Sequence, residues 1–278
     1  MRDVNYTYMK GSPLEKQAIF DISLDVQKGE FLAIIGHTGS GKSTLVQHLN
    51  GLIKPDSGTI TVAGMPTKGK GLKELRRKVG IVFQYPEHQL FEETIYKDIE
   101  FGLLKQGIDE KERERRVKET AAVLELSDEI LAKSPYELSG GQKRRAAIAG
   151  ILVLEPEILI LDEPAAGLDP AGTRELFDIV TSLYNEKHIT VILVSHSMEL
   201  VAEYASRIIV MNEGRIVIDG SPGEIFMQAE YLEKIGLGVP QITKLMTRLS
   251  EFCPGIRRDI FSVRAAEAEI MKCLGGRK

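Results

Sequence analysis

Two cysteines in 278 residues, Cys253 and Cys273, are too few for a disulfide framework or a four-ligand zinc site. They read as ordinary, partly buried thiols in a reducing compartment. Long apolar runs are missing as well. The best candidate, Ile148 to Leu161, is broken by Gly150, Glu155, Pro156 and Glu157, short of the roughly 18 apolar residues that a membrane-spanning helix needs. Any membrane role therefore has to work through a partner. The start, Met1-Arg2-Asp3-Val4-Asn5, lacks the apolar centre of a secretory signal. Nor is there an excess of positive charge: 36 lysines and arginines stand against 40 acids, a formal net charge of −4. That removes the simplest electrostatic case for a nucleic-acid partner. What is present is 43% hydrophobic content, enough for the core of one large or two ordinary globular domains.

The stretch Gly36-His37-Thr38-Gly39-Ser40-Gly41-Lys42-Ser43 has the G-x-x-x-x-G-K-S spacing of a phosphate-binding loop. Its context is the required one. The apolar run Phe31 to Ile35 precedes it as a buried strand, and Thr44 to Asn50 continues it at helical spacing as far as Gly51. Glycines let backbone N–H groups turn inward around an anion, and the helix N-terminus adds partial positive charge. Lys42 can reach the outer phosphates and Ser43 can offer a hydroxyl to Mg²⁺.

Residues 4–8 and 18–26 alternate polar and apolar side chains, predicting half-exposed strands of a small antiparallel sheet. Tyr8 closes the first of them, where its ring could stack on a base, although a lone strand tyrosine is more often packing. Strands are expected over 59–63 and 79–83, the second ending at Gln84 on the edge where parallel sheets hold ligands. From Pro86 to about residue 156 the composition is helical, predicting an inserted subdomain (about 85–156). Its charged run Glu110 to Arg116 reads as a solvated helix face. Ile158 to Leu161 is a buried strand delivering Asp162 and Glu163 to its tip, and Ile189 to Val194 is another, ending at Ser195-His196. A hairpin over 208–218 closes the core, and 221–278 is a mainly helical extension of a first domain spanning 1–220.

ATP hydrolysis needs a Mg²⁺ site, a group that positions water and positive charge near the leaving phosphates. Asp162 suits Mg²⁺ coordination with Ser43 and Gln84. Glu163, one residue on, suits the attacking water, and His196 suits a sensor of the γ-phosphate. Leu138-Ser139-Gly140-Gly141-Gln142 then opens a helix, so that its hydroxyl and free N–H groups could grip a second anion.

With that pentapeptide the chain resembles the ATP-binding-cassette (ABC) ATPases, whose motifs occur in order: Walker A at 36–43, the Q-loop glutamine Gln84, the signature at 138–142 and Walker B at 158–162 with Glu163. The D-loop follows at Ala166 to Asp169, and the switch histidine is His196. The resemblance implies an α/β P-loop NTPase fold with an antiparallel β subdomain and a helical insert. It implies ATP and Mg²⁺ as ligands, catalytic roles for Glu163, His196 and Gln84, and a nucleotide held by Tyr8, Gly36, His37, Thr38, Gly39, Ser40, Gly41, Lys42, Ser43 and Thr44. Ser139, Gly140, Gly141, Gln142 and Asp169 would complete the site of a second subunit in a head-to-tail dimer. Ala165, where many members carry threonine, lies beside the site, and hydrolysis is expected to survive it.

A narrower resemblance lies in Tyr85-Pro86-Glu87-His88-Gln89-Leu90-Phe91, which is similar to the second, A-prime type of ATPase in energy-coupling-factor (ECF) transporters. It spans essentially the whole chain and thins after Phe252. It implies a paralogous ATPase as heterodimer partner, although the motif set alone would also serve a homodimer. A transmembrane T subunit would be contacted near Tyr85 to Phe91, with a substrate-binding S component reached indirectly. The extension 221–278 would hold the ATPases together, and the place of work would be the cytoplasmic face of the membrane. The alternatives are the ATPase of another ABC importer and a non-transport ABC ATPase acting on nucleic acid or ribosomes. The second usually needs a long coiled coil or two cassettes in one chain, and neither is present. A P-loop kinase would have no use for Leu138 to Gln142.

Overall fold

In this computed structural model, which describes residues 1–69 and 71–275, Arg2–Tyr8 (β1) and Lys16–Ile22 (β2) pair antiparallel, as their alternation requires. β2 stops at Ile22, short of the expected 26, because the chain turns so that Leu24 N bonds to Met1 O. Phe31–Ile35 (β3) is buried at every position and leads into Lys42–Leu49 (α1). Ser57–Thr59 (β4) joins the other edge of β1. The strand expected over 59–63 is split, because Thr61–Val62 (β5) swings away to pair with Met65–Pro66 (β6). Leu72–Lys78 (α2) and Val79–Val82 (β7) follow. The helical stretch then holds Ile95–Gln106 (α3), Glu110–Val123 (α4), Asp128–Ala132 (α5) and Gly140–Leu152 (α6). Side chains of Thr94, Asp109, Ser127 and Ser139 cap their N-termini.

Strand and helix then alternate through Ile158–Asp162 (β8), Pro170–Lys187 (α7), Thr190–Val194 (β9), Met198–Tyr204 (α8), Arg207–Asn212 (β10) and Arg215–Gly220 (β11). The main sheet has the order β11-β10-β3-β9-β8-β7, parallel except for β11. Both of its faces are covered, so strands read as unbroken apolar runs while alternate residues serve different cores. In β3, Phe31, Ala33 and Ile35 face the larger core with α3, α6 and α7, whereas Leu32 and Ile34 face a second core shared with β1, β2 and α1. Register brings Ile34 level with Val194, Val194 with Asp162, and Leu161 with Val82. The carboxyl ends of four adjacent strands therefore open onto one crevice, the place where such sheets bind ligands.

The tail consists of Pro222–Phe226 (α9), Ala229–Lys234 (α10), Gln241–Phe252 (α11) and Val263–Gly275 (α12), with the expected interruption around 236–240. The expected extension 221–278 ends, at 276–278, outside the described residues. Its first part is not separate: Ile225, Phe226, Leu232, Leu237 and Val239 belong to the larger core, and only Met246, Ile256, Ile260 and Ala266 form a core of their own. The two cysteines, expected as independent thiols, are joined as a disulfide, Cys253 with Cys273. The segment after α11 runs back along it, Thr243 Oγ1 donating to Ile260 O at 3.4 Å, so that the C-terminal ends of α11 and α12 meet and the two Cα atoms lie 6.8 Å apart, within bridging range. A separation of 20 residues in sequence carried no sign of that.

Candidate functional site

The loop between β3 and α1 is built by backbone requirements. Gly41 at the helix N-cap has φ 102°, and a Cβ there would lie 2.8 Å from the Ala18 carbonyl oxygen. At Gly36 a Cβ would collide with the Met211 carbonyl. The loop lines a cavity of about 470 Å³ whose wall also includes Tyr8, Ala18 and Gly214.

Lys42 Nζ donates to the carbonyls of Gly36, at 2.7 Å, and His37, at 3.0 Å. Burial pushes its pKa down, with Glu163 and Asp162 pulling the other way. Asp162, 7% exposed, is pushed above the usual carboxylate range chiefly by burial, against a hydrogen bond from Ser43; Glu163 adds to the rise and Lys42 opposes it. Each displacement favours the neutral form of a group that is charged in solution. An anion beside the lysine and a cation beside the carboxylate relieve both. Among the described residues no cluster of three His, Cys, Asp or Glu is able to hold a metal unaided. A hard cation beside Asp162 would take its remaining oxygens from waters and a bound phosphate, which is the usual arrangement for Mg²⁺.

Glu163 follows the tip of β8 in a left-handed conformation, φ 51°, with its N–H donating to Val194 O at 2.9 Å. Its Oε2 lies 2.7 Å from His196 Nδ1, just past the end of β9. Gln84 is exposed two residues beyond β7, the neighbour of β8. Tyr8 OH and Thr44 Oγ1 are 3.1 Å apart, and the Tyr8 ring packs edge-on against Tyr6, which packs in the same way on the buried His48. The ring of Tyr8 is thus fixed in the wall of the cavity.

Ser139 caps α6 by accepting from Gln142 N at 3.3 Å, while Gln142 Oε1 accepts from Ser139 N at 3.0 Å. These residues do not line the loop cavity; they line a smaller pocket against α7, whose own N-cap Asp169 accepts from Gly172 N at 2.7 Å. A Cβ on Gly140 or Gly141 would meet nothing within 4 Å, and neither residue has positive φ. No neighbour in this chain requires glycine at either position, at a cost of about 1 kcal/mol each in a helix.

Read from the sequence alone, the turn Asn212 to Gly214 between β10 and β11 has no part in the site. Asn212 Oδ1 lies 3.0 Å from His37 Nε2, across 175 residues of sequence, and Gly214 N donates to Ser40 O at 3.0 Å. The hairpin was legible, but its position beside the phosphate loop follows only from β10 pairing with β3.

An ABC transporter family profile matches residues 19–166. The energy-coupling factor transporter ATP-binding protein EcfA2 of Acetivibrio thermocellus is 58% identical over 269 residues, covering 97% of this chain and 96% of that protein. The Bacillus subtilis protein of the same name is 48% identical, covering 96% and 99%. Among solved structures, cbiO1 of Clostridium perfringens, described as part of the ABC transporter complex cbiONQ, superposes with a TM-score of 0.74 at 40% identity, covering 88% of this chain and 97% of that one. A dimeric ATP-binding cassette in a post-hydrolysis state with ADP and Pi superposes with a TM-score of 0.72 at 29% identity, covering 80% and 97%.

Proposed function

This chain belongs to the ABC transporter family, as an ATP-hydrolysing subunit of the energy-coupling-factor type, and from that premise we propose how its residues drive import of a vitamin or other micronutrient. ATP lies in the cavity above α1, its phosphates wrapped by Gly36 to Thr44 and its base against Tyr8. Ser43, Gln84 and Asp162 would hold Mg²⁺, which would supply neutralisation of the charge that develops on the phosphates. Lys42 exchanges its carbonyl partners for phosphate oxygens. Glu163 orients and deprotonates the attacking water, with His196 fixing the carboxylate by the 2.7 Å contact. The observation that carries this reading is the convergence of four strand ends, leading to Gly36, His196, Asp162-Glu163 and Gln84, on one crevice.

Ser139 to Gln142, with Asp169, serve the γ-phosphate side of a second ATPase in a head-to-tail pair. The two signature glycines support this, since their open surroundings leave room for another molecule's phosphate to approach the α6 N-terminus. ATP binds the closed pair better than the open one and so shifts the population toward closure. Among the described residues no helix is long and apolar enough to cross a membrane. The chain works peripherally at the cytoplasmic face, on a transmembrane T subunit seated near the exposed Tyr85 and Phe91, and the S component is moved through it. The extension adds to subunit association; from Gln241 onward it has a buried core of its own and touches the larger core through Phe261, whose ring lies 5.7 Å from that of Phe226.

The decisive experiment is isolation of the intact complex from its native membrane. A paralogous ATPase and membrane chains should co-purify and, in vesicles, give ATP-dependent solute uptake; recovery of this chain without any membrane chain would overturn the reading. Loss of the base platform in Tyr8→Ala should raise KM for ATP about fivefold or more, since stacking contributes about 1–3 kcal/mol, and an unchanged KM would remove Tyr8 from the site. Truncation after Pro240 should lower Tm, because Phe226 loses its Phe261 cover, and should weaken nucleotide-free subunit association, read by sedimentation.

A further inference from the structure

We propose that Arg144 is a positioning residue that links the membrane-facing turn after Gln84 to both the signature helix and the backbone turn carrying Glu163, so that the three move as one unit. The identity of the membrane-facing turn rests on the docking reading above. Arg144 lies in the second turn of α6, is 5% exposed, and uses its guanidinium on two different segments at once. Nε and Nη2 donate to the two carboxylate oxygens of Glu87, at 3.1 and 3.2 Å, across 57 residues of sequence. Nη1 donates to the carbonyls of Pro164, at 3.3 Å, and Ala166, at 2.7 Å.

Glu87 belongs to the one-turn helix Pro86–Gln89, which lies between the exposed aromatics Tyr85 and Phe91. Pro164 to Ala166 is the turn that holds Glu163: Ala166 N donates to Glu163 O at 3.1 Å, and Glu163 N is anchored on Val194 O. Tyr85 also lies near the residue that follows this turn, since a Cβ built on Gly167 would be 3.9 Å from Tyr85 Cε1. The pair is a poor stability device, because a buried ion pair often contributes no more than an apolar replacement of the same shape. What an apolar replacement cannot do is hold a carboxylate and two carbonyls in fixed relation. A planar five-donor fork can; a lysine, with three donors on one nitrogen, cannot span them. A displacement of Glu87 by a docked membrane chain therefore reaches the γ-phosphate grip of α6 and the water-positioning Glu163 together, and closure of α6 onto a neighbouring ATPase pulls on Glu87 in return.

The test uses the complete vesicle-reconstituted transporter, with wild-type partners and Arg144→Lys, Glu87→Gln or both in this chain. Arg144→Lys should lower kcat about tenfold while KM for ATP stays within about twofold, the pattern of a group that acts on the transition state and not on nucleotide binding. Solute taken up per ATP should fall about threefold or more in either single variant. The double variant should be within about twofold of Arg144→Lys alone, because members of one linkage are not additive. The proposal is overturned by an unchanged kcat, by losses that multiply in the double variant, or by kcat, KM and Tm worsening together as in a general loss of structure. Tyr85→Ala with Phe91→Ala separates the two readings. If membrane chains still co-isolate at full yield, the docking reading fails whatever Arg144 does, and with it the membrane half of the link. If they are lost while the Arg144 and Glu87 effects multiply, docking stands and the link fails.

Discussion

Glu163→Gln should bind ATP with undiminished affinity and turn it over about a thousandfold more slowly, within the range that a positioned general base contributes. The side chain keeps its size and can still meet His196 across the short contact from Glu163 Oε2 to His196 Nδ1. What it loses is the ability to accept a proton from water. The surroundings should be undisturbed, because the unusual backbone at this position, φ 51°, is held by Val194 O and Ala166 N rather than by the carboxylate. With hydrolysis blocked, nothing discharges the closed pair, so it should accumulate with ATP and Mg²⁺ and be visible by sedimentation alongside single-turnover phosphate release. Near-normal turnover would remove Glu163 from the catalytic role.

Lys42→Ala should weaken ATP binding about a hundredfold or more, since charge-assisted hydrogen bonds contribute about 1.5–3 kcal/mol each and the ammonium can make more than one to a triphosphate. That ammonium donates to the Gly36 and His37 carbonyls, and burial pushes its pKa down. Phosphate oxygens would reverse that displacement, so the lysine gains more from the ligand than a solvated one would. Part of any change in Tm reflects the two carbonyls left without their donor. Affinity, read directly by calorimetry, is therefore the measurement that decides, and unchanged binding would contradict the phosphate-loop assignment.

Much of the site was legible because its geometry is local. A strand, a glycine turn and a helix N-terminus lie within about twenty residues, and Gly36, Gly39 and Gly41 all have the positive φ that other residues rarely adopt. The same holds for Ser139 and Gln142, whose reciprocal cap is an i,i+3 relation on one helix. Strand positions were clear from unbroken apolar runs, and their order in the chain pointed to a parallel sheet. The split near Ile60 was not clear, because whether Thr61 continues β4 or pairs with Met65 and Pro66 depends on which neighbour lies closer in space.

By itself, then, the sequence determined the class of fold, the phosphate loop, the acids at the tip of β8 and the family to which they belong, because each of these is encoded in short-range spacing. Tertiary structure decided which distant groups meet: Asn212 on His37, Cys253 on Cys273, Arg144 on Glu87 and on the turn behind Glu163, and tail side chains from Ile225 to Val239 in the larger core. The physical reason is common to all four. A hydrogen bond, a disulfide or a packed methyl group depends on separation in space, and chain distance stops predicting that separation once strands pair out of sequence order and helices fold back over them.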